Sequence, residues 1–314
     1  MSKSPILFLI FNRLDTTKQV FDVIRQSRPD RLYIAADGAR VNIDGETEKI
    51  KLVRDYVTSN IDWPCEVKTL FREKNLGCKF AVSSAIEWFF QNEEQGIILE
   101  DDCLPDISFF QFCEELLEKY KNNQDIAMIG GNNFNSKKIG SADYYFSRIP
   151  HIWGWATWRR SWQKYDIEMS AYPDFRKENI IKNIWLDKKV QNYWLDIIDE
   201  VYNNKVNTWD YQFTFSIFLR KGLCINPNKN LVSNIGFTKN FTNTILMDSR
   251  VANLNTEKIY FPIKHPDQIE YSEINDEYIN NIYLRFYKIK KFLKKVGVFN
   301  FVKKLYVYLL SVLK

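Results

Sequence analysis

Histidine is nearly missing from this chain. His151 and His265 are the only two in 314 residues, too few for a multi-histidine zinc site and a poor basis for a serine triad. The five cysteines (Cys65, Cys78, Cys103, Cys113 and Cys224) are odd in number and show no Cys-x-x-Cys spacing. They read as reduced core thiols of a cytosolic protein rather than a disulfide framework. No apolar run reaches the roughly 18 uninterrupted residues that a membrane span requires. The Ile6–Phe11 run is too short for a secretory signal and leads straight into Asn12-Arg13, with no small-residue cleavage site. Neither a GxGxxG after the first apolar run nor a GxxxxGK[ST] loop is present, which removes the commonest dinucleotide and P-loop phosphate sites.

Acidic residues are absent from one end. Between Arg285 and Lys314 there are nine Lys or Arg and no Asp or Glu, so the net charge of +5 leaves about −4 on residues 1–284. A mildly acidic body with a basic tail does not suggest a nucleic-acid-binding body. Aromatic residues are plentiful, at 9 Trp, 17 Tyr and 23 Phe, which suits a folded protein with a ring-lined cleft.

The first 135 residues alternate between short apolar runs and amphipathic stretches. Strands are expected at Ile6–Phe11, Arg31–Ala36, Cys65–Phe71, Gly96–Glu100 and Ile126–Gly130. Helices are expected from about Thr16, with Thr16 and Gln19 as a capping box, then over Glu46–Ser59, Phe80–Phe90 and Phe109–Tyr120. This rhythm predicts an α/β protein with a doubly wound, mainly parallel sheet. Residues 1–135 would form one half of a domain and 136–277 a second half with short strands and Trp-rich helices. Residues 278–314 would form a basic amphipathic helical tail.

Parallel strands bring their carboxyl ends to one edge, where ligands of such sheets collect. That edge would carry Asn12-Arg13, Asp37-Gly38, Arg72 with Lys74-Asn75-Leu76-Gly77, Glu100-Asp101-Asp102, and Gly130-Gly131-Asn132-Asn133. The carboxylate triplet is the most telling of these. Consecutive acids repel one another unless a cation sits among them, and a hard divalent ion carrying a phosphorylated substrate meets that need.

These pieces resemble the inverting glycosyltransferases of the GT-A fold, and are similar in particular to the N-acetylglucosaminyltransferase I type. The resemblance covers roughly residues 5–240 and rests on Phe11-Asn12-Arg13, Asp37-Gly38, Lys74-Asn75-Leu76-Gly77 and the triplet followed by Pro105-Asp106-Ile107-Ser108-Phe109-Phe110. Gly131-Asn132-Asn133, Trp153-Gly154-Trp155 and Trp209-Asp210 continue it in order. The chain also resembles bacterial family 2-like transferases of surface-polysaccharide synthesis through Asn230-Leu231-Val232-Ser233-Asn234-Ile235-Gly236.

The resemblance implies a Rossmann-like GT-A domain with a mixed sheet and a helical C-terminal extension. It implies a nucleoside diphosphate sugar, UDP-linked, as donor, with Mn²⁺ or Mg²⁺ as cofactor and a glycan or lipid-linked glycan as acceptor. Arg13, Asp37, Arg72 and Asn132 would contact the donor, Glu100 its sugar, Asp101 its ribose, and Asp102 the metal. Asp210 would be the catalytic base, although the family segment carries two adjacent acids and Tyr211 stands in the second place here. Asp174 and Asp166 are the alternative bases. Trp153, Trp155 and Trp209 would offer rings to acceptor or donor sugar.

The basic tail suggests a peripheral attachment to an anionic membrane on its cytoplasmic face. Two other readings compete. One is a non-catalytic glycan-binding protein on the same scaffold; the other is a sugar nucleotidyltransferase, whose usual glycine-rich loop after the first strand is absent.

Overall fold

The computed structural model describes residues 3–297, apart from 136, 137, 139 and 237–253. It opens with β1 (Ile6–Ile10), α1 (Leu14–Ser27), β2 (Arg31–Ala36), α2 (Glu46–Ser59), β3 (Glu66–Phe71), α3 (Gly77–Asn92) and β4 (Gln95–Glu100). Then follow β5 (Cys103–Pro105), α4 (Ser108–Lys119), β6 (Ile126–Gly130), β7 (Tyr144–Ser147), β8 (Trp155–Trp158), α5 (Arg159–Trp162) and α6 (Tyr172–Lys177). The remainder comprises α7 (Lys188–Tyr202), α8 (Asp210–Leu219), β9 (Leu223–Pro227), β10 (Val232–Asn234) and α9 (Glu273–Lys295).

Every residue of β1 is buried because both faces of the strand are covered. Side chains alternate across a strand, so Ile6, Phe8 and Ile10 enter one core while Leu7 and Leu9 enter the other. The first core takes Val20, Phe21 and Ile24 from α1 and Phe109, Phe112 and Leu116 from α4. The opposite one takes Ile86, Phe89 and Phe90 from α3 and Phe213 and Ile217 from α8. A third cluster joins α6, α7 and α9 through Phe175, Trp194 and Ile282.

The sheet runs β3-β2-β1-β4-β8-β6-β9-β7. Its first four strands are parallel, with Leu9 beside Glu100 at the carboxyl ends of β1 and β4. β8 then enters antiparallel to both β4 and β6, and β7 closes the edge antiparallel to β9. The sheet is thus mixed, and β8 welds the two halves of the chain into one layer. This is a Rossmann-like α/β architecture.

Several local expectations are corrected. The capping box does not form: α1 starts two residues before Thr16, and Thr16 and Thr17 turn their hydroxyls back to the Arg13 carbonyl at 3.3 and 2.6 Å. Gln19 instead donates to the Asp15 carbonyl. β5 was not foreseen; it pairs antiparallel with β10, Leu104 opposite Ser233. The C-terminal helix begins at Glu273 rather than 278, and Ile279, Ile282 and Leu284 are buried in the third cluster. Among the described residues no helix is long and apolar enough to cross a membrane.

The burial of α9 changes what a truncation should do. A chain ending after Tyr278 loses three buried aliphatic side chains, each worth about 1.5–3 kcal/mol, against a domain stability of about 5–15 kcal/mol. It is expected to melt far below the full chain by circular dichroism. Equal melting of the Tyr278 truncation would contradict this packing.

Candidate functional site

The strand order turns back between β1 and β4, since β2 and β3 lie on one side of β1 and β4 on the other. A crevice opens at such a point outside the carboxyl ends of the strands. Arg13 leaves β1 into it, and Glu100-Asp101-Asp102 leave β4 into it. The Arg13 guanidinium pairs with Asp101 and, at 2.7 Å, with Asp102. Asp101 is 3% exposed and also accepts the Phe11 backbone N–H at 3.3 Å. One guanidinium thus faces three carboxylates.

That imbalance appears in the acidities. Burial, then the charges of Asp102 and Asp101, pushes Glu100 up to about 8. Burial pushes Asp101 up to about 6 against the pull of Arg13. Carboxylates that resist ionisation mark a place where further positive charge is favourable. Among the described residues no three His, Cys, Asp or Glu side chains converge as a self-sufficient metal cage. The donor set is hard oxygen with one half-buried carboxylate, Asp102, as the natural anchor, which fits Mg²⁺ or Mn²⁺ sharing substrate phosphates.

A short ribbon covers this acidic end. Beyond the β5–β10 pairing, the Ile235 N–H donates to the Asp102 carbonyl at 2.8 Å. Gly236 comes so close that a methyl group there would collide with the Asp102 carboxylate and stand 2.9 Å from Arg13 Nη1. Only glycine fits that close approach without displacing Asp102. The Asn230–Gly236 motif therefore acts on the site, a contact that no sequence spacing announces.

Asp37 and Arg72 are placed at neighbouring strand ends but hold the frame. Asp37 accepts from the N–H groups of Gly38, Leu76 and Gly77 at 2.9–3.0 Å, capping α3 in place of Leu76, which has no side chain to do so. Arg72 donates to the Ser84 hydroxyl at 2.7 Å, and Arg54 ties the carbonyls of Asp37 and Arg72 together. The buried Glu46 binds Arg40 and accepts from Asn12 at 2.8 Å, linking the loops after β1 and β2.

Asp210 begins α8. It accepts from the Thr208 hydroxyl and, at 2.9 Å, from the Tyr211 N–H. Burial nonetheless raises it above the ordinary aspartate value. Its charge is felt at Glu100 and Cys78, so it lies near the triplet. Its loop is clasped to α3, because Asn207 accepts from the Lys79 N–H at 3.0 Å. Asp166 is engaged in its own turn with Ser170, and Asp174 is exposed on α6. Cys78, expected as a core thiol, is instead exposed in the first turn of α3. The charges of Glu100, Asp210 and Asp37 reach its thiol.

The tryptophan expectation is corrected. Trp155 and Trp209 are 1% and 2% exposed, stacked on each other with ring centroids 5.6 Å apart and packed by Trp162 and Phe213. They support the floor beneath Asp210 and have no free face for a sugar. Trp153 is half-buried, edge-on to Phe134. Asn132, after β6, is buried with neither side-chain amide atom partnered among the described residues, and His151 Nδ1 donates to its backbone carbonyl at 3.0 Å.

No protein-family model matches this chain, and no curated protein does. Solved structures similar to it include a mannosyltransferase from Pyrobaculum calidifontis in complex with GDP-mannose and Mn²⁺, at 11% identity, 50% of this chain, 45% of that chain and a TM-score of 0.34. The glycosyltransferase GlyE of Streptococcus pneumoniae is similar at 12% identity over 73% of this chain and 55% of its own, with a TM-score of 0.32. A UDP-glucose pyrophosphorylase complexed with UDP-glucose is similar at 13% identity, 47% and 62% coverage and a TM-score of 0.25. The chain spans less than half of that mannosyltransferase. Likenesses this distant add nothing to the strand order as grounds for the fold.

His151 offers a check on the packing beside this site. Burial holds it neutral, at about 4 against an ordinary 6.5. Below about pH 6.5 the unfolded chain gains a proton there that the folded chain does not, so stability falls as pH drops toward 4. His151→Gln removes that component. Urea unfolding at pH 7 and pH 5 should find the stability gap between parent and variant narrowing at the lower pH. A constant gap would contradict a buried neutral imidazole.

Proposed function

We propose that this chain is a glycosyltransferase that moves a sugar, with inversion, from a nucleoside diphosphate donor to a hydroxyl of a glycan or lipid-linked glycan. A UDP-sugar is the first donor to test, and surface-polysaccharide synthesis the expected setting. The observation that carries this reading is the Arg13–Asp101–Asp102 cluster at the β1/β4 crevice, with Asp210 near enough for its charge to reach Glu100.

On this reading Asp102 would anchor Mn²⁺ or Mg²⁺, whose chemistry is to neutralise the leaving diphosphate as a Lewis acid. Arg13 holds Asp101 and Asp102 in place and adds positive charge beside the phosphates. Asp101 faces the ribose and Glu100 the donor sugar. The buried amide of Asn132, with no protein partner, is suited to donor hydroxyls or phosphate. Asp37 and Arg72 serve the donor by fixing the loops around it.

The acceptor hydroxyl oxygen attacks the anomeric carbon as the bond from that carbon to the diphosphate oxygen breaks. The bonding pair leaves with the diphosphate, and the hydroxyl proton passes to Asp210. Attack opposite the leaving group inverts the anomeric centre. The raised proton affinity of Asp210 suits a base acting near neutral pH, a contribution of about 10²–10⁴-fold. Trp153, the one half-buried ring of the three, remains for sugar contact.

Asp102→Asn is expected to abolish metal-dependent donor hydrolysis and transfer without lowering the melting temperature, and EDTA should do the same to the parent. Asp210→Asn should bind UDP as the parent does yet lose transfer by at least about 10²-fold. Full activity of Asp102→Asn, or in EDTA, would sink the metal-dependent reading. Unchanged transfer by Asp210→Asn would move the base elsewhere.

A further inference from the structure

Helix α9 has two unlike faces. Its inner face is fixed to the body: Ile279, Ile282 and Leu284 are buried, Tyr283 stacks on Tyr193 of α7, and Lys291 reaches Asp196 at 3.2 Å. Its outer face carries Arg285, Lys288, Ile289, Phe292, Lys295 and Val296, spaced three and four apart and so aligned in one stripe. Ile289, Phe292 and Val296 are 43%, 64% and 49% exposed. A helix whose outer face only met water would not place a phenylalanine and two branched aliphatic residues there in register.

Beside this stripe lies a groove of about 280 Å³ between α7 and α9, lined by Lys189, Asn192, Asp196, Tyr287, Lys288 and Lys291. Asp196 is matched by Lys291 and the Tyr287 hydroxyl. Among the described residues Lys189 and Lys288 have no acidic partner. The acids of α9 are confined to Glu273, Asp276 and Glu277 at its far end.

We propose that the outer face of α9 docks on a bilayer containing anionic lipid, with Ile289, Phe292 and Val296 in the interface and Lys189 and Lys288 against lipid phosphates. Charge complementarity selects this occupant: an interfacial helix combines an apolar stripe with flanking lysines, and acids are missing where it would meet the surface. The inner face of the same helix turns Tyr283 toward the catalytic half, where its hydroxyl feels the charge of Asp210. The docking itself is read out by binding, so it stands or falls apart from the transfer reaction.

Co-sedimentation of the full chain with vesicles of phosphatidylcholine, with and without phosphatidylglycerol, tests the proposal at low and high salt. Binding should require phosphatidylglycerol and weaken with salt. Ile289→Ser with Phe292→Ser should lose it, and Lys189→Gln with Lys288→Gln should weaken it by roughly tenfold or more. Because all four side chains are exposed, melting temperatures should stay at the parental value, and a variant that melts early is replaced by Phe292→Ser alone. Absence of binding, equal binding to both vesicles, or binding that survives both double variants would overturn the proposal. So would a dimer in solution that Phe292→Ser dissociates, since the stripe would then belong to a second copy.

Discussion

Three carboxylates in succession at the end of a buried strand are tolerable only because a guanidinium from the neighbouring strand is driven among them. Arg13 can reach Asp101 and Asp102 because β1 and β4 are adjacent and in register, Leu9 beside Glu100. That adjacency is the point at which the strand order reverses, so topology and electrostatics concern the same few ångströms. The neutralisation is incomplete, and the carboxylates of Glu100 and Asp101 hold protons more tightly than usual in consequence. On the proposed reading, the positive charge still wanting there would be supplied by a cation held with the donor diphosphate.

Around this centre the loops are tied to one another rather than left to move independently. Asp37 caps α3, Arg54 joins the loops after β2 and β3, and Glu46 joins those after β1 and β2. Asn207 carries the tie across the crevice to the segment that begins α8. Beneath that segment Trp155 and Trp209 form an apolar floor. The aromatic richness of the chain is largely structural here: it sets the position of Asp210 instead of supplying a surface for sugars.

What could be read from the sequence was local. The apolar runs of β1, β2, β4 and β6 and the helices between them obey short-range periodicity, and their ends placed Arg13 and the triplet on one edge. What escaped depends on contacts distant in the chain. β8 lies between β4 and β6 although it follows both, and β5 is a strand only because β10 returns to it about 130 residues later. Gly236 against Asp102 and Cys78 among Glu100, Asp210 and Asp37 are likewise tertiary facts. Trp155, expected to offer its ring to a sugar, lies in β8, all four of whose residues are buried because the strand is covered on both faces.

On the proposed reading the acidic strand end would hold a divalent cation only together with a diphosphate. Mn²⁺ affinity measured by electron paramagnetic resonance, with and without UDP, addresses it directly. Weak binding of Mn²⁺ alone is expected, since no three ionisable ligands converge among the described residues, with strong enhancement by UDP. Tight Mn²⁺ binding without nucleotide, or UDP binding indifferent to Mn²⁺, would contradict it.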